Sequence, residues 1–69
     1  MAVTVWITRA HERVMVGDLV ALSVAGHADA VGRIVAGDAH AVRCVLVRGA
    51  RPGTVVRVTP DRLLVKVHG

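Results

Sequence analysis

The chain has no phenylalanine, no tyrosine and a single tryptophan, Trp6. With aromatics nearly absent, a core must be assembled from valine, leucine, isoleucine and alanine. Stacking platforms of the kind single-strand nucleic-acid binders use are missing as well. Cysteine is as scarce. Cys44 stands alone, so no intrachain disulfide can form and no cysteine–histidine set marks a structural zinc. Acidic residues are few, and Glu12 is the only glutamate beside four aspartates. General acid–base pairs would have to be recruited from turn aspartates. No apolar run approaches the roughly 18 residues of a membrane span. The first residues, MAVTVWITR, are too short a stretch for a signal peptide and carry no basic leader. The expected setting is therefore cytoplasmic, or an assembly built in a cytoplasm.

Valine fills the space these absences leave: sixteen of the 69 residues, a β-branched excess that suits pleated strands. Val3, Val5 and Ile7 alternate with Thr4, Trp6 and Thr8, a period of two. Gly17-Asp18 then turns the chain into a strand over Leu19–Val24. Ala25-Gly26-His27 breaks it, and Ala30–Val35 and Val42–Arg48 follow. Pro52-Gly53 fits the centre of a type II turn, within the connection Gly49-Ala50-Arg51-Pro52-Gly53. Pro60-Asp61 fits a type I turn between Thr59 and Arg62. No helix is expected; a single helical turn fits best in the polar connection Arg9–Arg13. Six short, mainly antiparallel strands at about 8–12-residue spacing predict an all-β barrel or sandwich, one domain spanning residues 1–69.

A near-repeat supports the meander. VAGHADAV at 24–31 returns as VAGDAHAV at 35–42, with histidine and aspartate exchanged, so both copies fall on successive corners. His27, Asp29, Asp38 and His40 are the one set resembling metal ligands. The spacing matches no ligand signature, and adjacent corners of a meander sit at opposite ends of a sheet, so no metal or cofactor is assigned. Ser23 and Cys44 are the nucleophile candidates, and both fall inside strands. Cys44 reads as a small buried hydrophobe. No catalytic residue is assigned and the chain is not read as an enzyme.

The segment from Val42 to Val67 carries the functional signal. Its three strands are apolar on both faces, whereas a surface strand of a small protein should alternate. Inward-facing positions are Val42, Cys44, Leu46, Val56, Val58, Leu63, Val65 and Val67. Outward-facing positions are Val45, Val47, Val55 and Leu64, interleaved with Arg43, Arg57, Lys66 and His68. Charge concentrates there too: residues 1–35 are neutral, and 36–69 hold the whole net charge of +4. Arg48, Arg51 and Arg62 sit at the strand ends as a basic rim. A face of valines flanked by arginines suits a protein interface. The same arginines suit phosphate, so nucleic acid is the second partner class.

Two family resemblances add to this reading. Gly17-Asp18-x-Val20-x-Leu22, followed by Gly32-x-Ile34, resembles the KOW-type SH3-like barrel over about eighteen residues. It departs in the intervening loop, where Asp29 lies near the family's usual glycine. That resemblance implies an SH3-like meander and contact with RNA or a ribonucleoprotein or transcription complex. The order VGDLVALS, a small-residue stretch, then VRCVLVRGARPGTVVRV resembles short bacteriophage capsid decoration (cement) proteins over about fifty residues. It departs at Arg43-Cys44, where the family tends to small residues, and in its heavier arginine load. This second resemblance implies a small β-barrel on the outer capsid lattice, homo-oligomeric and often trimeric, and a virion location if the gene belongs to a phage. The expected partner is thus a protein assembly, met through Arg43, Val45, Val47, Val55, Arg57, Leu64 and Lys66.

Overall fold

The valine-rich segments pair as strands throughout. A computed structural model describes residues 4–25, 27–48 and 51–68, with only the backbone described at 27–29. The strands are β1 (Trp6–Ile7), β2 (Arg13–Val14), β3 (Leu19–Val24), β4 (His27–Gly37), β5 (Val42–Arg48), β6 (Val55–Val58) and β7 (Leu63–Val67). Every pairing is antiparallel. The all-β expectation holds, with seven strands in place of six, because Arg13–Val14 adds a short partner for β1. The expected helical turn at Arg9–Arg13 is absent. Instead the His11 N–H donates to the Thr8 carbonyl at 2.9 Å, and His11 takes φ 62° to close the turn. One 3-10 turn, Pro60–Arg62, stands where Pro60-Asp61 pointed, with the Arg62 N–H on the Thr59 carbonyl at 2.9 Å. No helix among the described residues is long and apolar enough to cross a membrane.

β3 to β6 form a meander, and the 3-10 turn brings β7 back against β3, giving the sheet order β6-β5-β4-β3-β7. The β1–β2 ribbon forms a separate small sheet whose Trp6 and Val14 join the core, so two sheets share one core, as in a small barrel or sandwich. Turn chemistry fixes the corners. Gly17 at φ 100° ends a turn in which the Asp18 N–H meets the Met15 carbonyl at 3.0 Å. The Asp18 carboxylate accepts the Met15 N–H at 2.9 Å, and backbone bonds at 2.8 and 3.0 Å tie Gly17 and Asp18 to Ile34 on β4. Gly53, at φ 90°, follows Pro52 in the type II turn closed by Thr54 on Arg51. Gly49 and Ala50 of that connection lie outside the described residues. The two copies of the near-repeat occupy the β3–β4 and β4–β5 corners.

The core gathers Val20, Leu22, Ala30, Ile34, Val42, Cys44, Leu46, Val58 and Leu63 with Trp6 and Val14. It is therefore not purely aliphatic, because Trp6 is only 4% exposed. The ring lies against Gly37, and its indole N–H donates to the Asp38 carbonyl at 2.8 Å. Thr8 is buried as well, its hydroxyl accepting the Glu12 N–H at 3.1 Å. Val5 and Ile7, the apolar half of the β1 alternation, face solvent. Val3 lies outside the described residues.

Bulges reset the faces, because each extra residue shifts the period-two pattern by one. On β7 the register jumps from Leu63↔Leu22 to Val65↔Ala21, leaving Leu64 as the extra residue. The Leu63 and Leu64 carbonyls there accept the Arg9 and Ala10 N–H groups at 2.8 and 3.2 Å. Three expectations are overturned beyond that point. Val65, expected inside, is 43% exposed. Val67 pairs with Leu19, outside the buried cluster. Lys66, expected outside, pairs with core residue Val20, and its backbone N–H donates to the Glu12 carboxylate at 2.8 Å. Val47 on β5 and Val35 on β4 are extra residues of the same kind.

Candidate functional site

Cross-strand partners share a face, so the ladder registers lay out the outer surface of the sheet row by row. A central row crosses all five strands: Val67, Leu19, Arg33, Val45 and Val55. On one side runs the row Val65, Ala21, Val31 and Arg48, in which Val31 is buried. On the other runs Ala36, Arg43 and Arg57. The result is an apolar band edged by guanidinium groups and interrupted at its centre by Arg33. Val55 is the most open part of it, 57% exposed, with Val35, Val47 and Val65 also exposed.

Most of the expected site residues meet on this face. Arg43 and Arg57 are direct cross-strand partners, and so are Val45 and Val55. Val47 is exposed at its bulge on the same strand. Leu64 lies on β7, at the far edge of the sheet from β6. It joins Ala21, Val31 and Arg48 around a shallow cleft of about 420 Å³. Lys66 does not belong to the set. The expected stripe of Arg43, Arg57 and Lys66 on three neighbouring strands fails for two reasons: β7 pairs with β3 and not with β6, and the Leu64 bulge turns Lys66 to the core side of the ladder. In the basic rim, Arg48 sits on the face itself, and Arg51 is exposed in the β5–β6 connection. Arg62 shares a cleft with Arg57, Thr59 and Ser23.

Arg33 is the residue the sequence reading missed. It occupies the middle of the central row, exposed, between Leu19 and Val45. Its signal was present in the alternation Val31-Gly32-Arg33-Ile34. Attention to the basic second half passed over a cation that the sheet order carries into it.

Beside Arg43 and Arg57 opens a cleft of about 430 Å³ lined also by Ala36, Gly37, Asp38 and Ala41. The Asp38 carboxylate accepts the N–H groups of His40 and Ala41 at 2.7 and 3.0 Å. Those two bonds, with smaller help from the charges of His40 and Arg57, hold its pKa below the ordinary value. The Asp61 carboxyl is lowered as well, first by the Thr59 hydroxyl that donates to it. Asp38 is thus a turn cap. Asp38 and His40 also follow β4, while His27 and Asp29 open it, so the strand's length separates the two pairs. The side chains of His27 and Asp29 lie outside the described residues. Among the described residues no metal-ligating cluster forms.

Cys44 is fully buried. Desolvation pushes its thiol up to about 11, the opposite of what a nucleophilic thiolate requires. Comparison with protein-family models, with curated proteins and with solved structures returned no match to this chain.

Proposed function

We propose that the chain is a non-catalytic docking module that seats the outer face of its five-stranded sheet on a larger protein assembly. The supporting observation is the row Val67–Leu19–Arg33–Val45–Val55, apolar on both sides of Arg33, with exposed valines around it and Arg43, Arg48 and Arg57 at its margins. Burial of Trp6 adds weight, since the one indole of the chain is committed to the core and offers no stacking platform on the face.

The magnitudes say what kind of assembly is meant. Fully burying a valine is worth about 1.5–3 kcal/mol, and Val35, Val47, Val55 and Val65 keep about half their surface open. Together they offer roughly 3–6 kcal/mol, against an association cost of about 4–15 kcal/mol. A single copy docks weakly. Several linked copies on a repeating surface dock firmly, because each later contact is intramolecular. A homo-oligomer on a bacteriophage capsid shell, the decoration protein of the second resemblance, meets that requirement; the protein would then reside in the virion.

Co-sedimentation with capsid shells of the encoding phage tests the reading, with Val45→Asp and Val55→Asp as variants. Each variant should keep its thermal transition and lose sedimentation with the shell. Variants that unfold on their own would show these positions to be core, and undiminished sedimentation would remove the face from the mechanism.

A second reading, an RNA-binding SH3-like module in the cytoplasm, draws on one observation: Arg33, Arg43, Arg48 and Arg57 share this face. Phosphate contacts give a salt slope of about one log unit of affinity per log unit of salt for each phosphate. A monomer that shifts RNA with such a slope would replace the docking reading.

A further inference from the structure

Apolar burial leaves one feature of the outer face unused. Arg43 and Arg57 stand directly opposite each other on β5 and β6, both exposed. Like charges facing across a ladder destabilise it, so the free protein carries a penalty that a threonine at either position would remove. Ala36, the partner of Arg43 on β4, presents only a methyl group, which leaves room beside the pair for the cleft described above. Among the described residues no hydrogen bond engages either guanidinium. The single acid on the cleft, Asp38, spends one carboxylate oxygen on the N–H groups of His40 and Ala41, and its charge offsets part of that of Arg57. With Asp38 ionised, the two arginines leave the lining residues a net charge of +1.

We propose that Arg43 and Arg57 form a receptor for one carboxylate, supplied by an aspartate or glutamate side chain of the docked protein. The proposal rests on the docking reading and names what orients the apolar band on its partner. A guanidinium presents parallel N–H donors that match the two oxygens of a carboxylate. One carboxylate neutralises the cleft; a phosphodiester carries the same single negative charge, and the docking reading, which expects a protein partner, favours the carboxylate. No aromatic ring stands beside the cleft to hold a base. Once the carboxylate is seated, the repulsion between the arginines becomes attraction to a shared anion, so the penalty of the free state is relieved only in the complex.

The site can be read in the free protein. The Nε–Hε resonances of Arg43 and Arg57 are followed at pH 6 while sodium acetate, sodium phosphate or sodium chloride is added at matched ionic strength. Acetate should move both resonances saturably, and chloride should produce only a weak linear drift. Arg43→Thr should weaken acetate binding about tenfold or more. The same variant should raise the melting temperature of the free protein by about 1–5 °C.

Equal responses to acetate and chloride would overturn the receptor, as would unchanged acetate affinity in Arg43→Thr. Phosphate binding tenfold tighter than acetate would reassign the site to a phosphate ester of nucleic acid. The two proposals fail separately. Acetate binding by a chain that docks on no shell keeps the receptor and removes its protein partner. Docking that survives both Arg43→Thr and Arg57→Thr at full strength keeps the docking face and removes the receptor.

Discussion

Gly37→Ala is expected to be the most damaging single methyl group that can be added on the edge of this site. Gly37 closes β4 opposite Val42. A Cβ there would lie 2.7 Å from the Ala41 carbonyl oxygen, 2.8 Å from Trp6 Cζ2 and 3.0 Å from Val42 Cα. Carbon–carbon contacts settle at about 3.5–4.0 Å, so the ring must retreat by most of an ångström. It has nowhere easy to go: Trp6 is buried, and its indole N–H is anchored on the Asp38 carbonyl. The other two contacts are backbone and cannot swing aside.

Overpacking of this kind costs about 1–3 kcal/mol, and a lost indole hydrogen bond adds about 1 kcal/mol. A chain of this length holds a total stability of roughly 3–10 kcal/mol. The melting temperature should fall by roughly 10–20 °C. Urea unfolding followed by the fluorescence of the one tryptophan measures the change, provided the slope with denaturant stays constant. Gly53→Ala is the control: its φ of 90° strains an alanine, yet no atom lies within 4 Å, so only a dihedral cost of about 1 kcal/mol applies. Gly37→Ala combined with Trp6→Phe should cost less than the sum of the two, since one clash disappears with the indole. The reasoning is refuted if Gly37→Ala lies within about 0.5 kcal/mol of the parent or is no worse than Gly53→Ala.

Three further outcomes are expected. Cys44 should react with a disulfide reagent at pH 8 roughly a thousandfold more slowly in the folded chain than in urea, because labelling must wait for opening; rapid native labelling would contradict its burial. The Asp38 carboxyl has a lowered folded pKa, so its stabilisation is present above the unfolded value of about 3.9 and is lost as pH falls through the folded value. Melting temperature should therefore be level from pH 7 to about 5 and fall below about 4, with a shallower acid limb in Asp38→Asn; an identical limb would remove Asp38 as the cause. Val55→Thr, on the regular ladder, should weaken shell binding more than Val47→Thr at its bulge, as read by co-sedimentation, and the reverse order would shift the contact toward β5's end.

Legibility followed the regularity of each strand. From Val42 to Leu46 and across β6, no residue is inserted, and every inward and outward assignment there matches the ladder. The turns were legible because Pro52-Gly53, Gly17-Asp18 and Pro60-Asp61 each impose a definite dihedral preference. β7 misled because its inserted residue, Leu64, is as apolar as its neighbours, so nothing in Leu63-Leu64-Val65 marks where the pattern slips. Trp6 fell outside a core expected from aliphatic residues alone; it and Thr8 are buried with hydrogen bonds that find partners at the Asp38 carbonyl and the Glu12 N–H. Strand order was beyond local reading, since nothing near β7 says that its neighbour is β3.

The bulges also separate what closure demands of the outer face from what it does not. Five strands must wrap one small core, and an inserted residue supplies the local bend and twist that wrapping needs. Val35, Val47 and Leu64 are such insertions, so part of the apolar excess outside is a by-product of curving the sheet around its core. Val45, Val55, Val67 and Leu19 are not; they occupy regular ladder positions on the outer face, where Val55 is the most exposed of the four. Arg43 opposite Arg57 goes further, since a regular ladder position there carries a charge that works against the free sheet. Residues that closure does not require, and one pair that it disfavours, meet on the same face, and this argues for a partner more strongly than the count of exposed valines does.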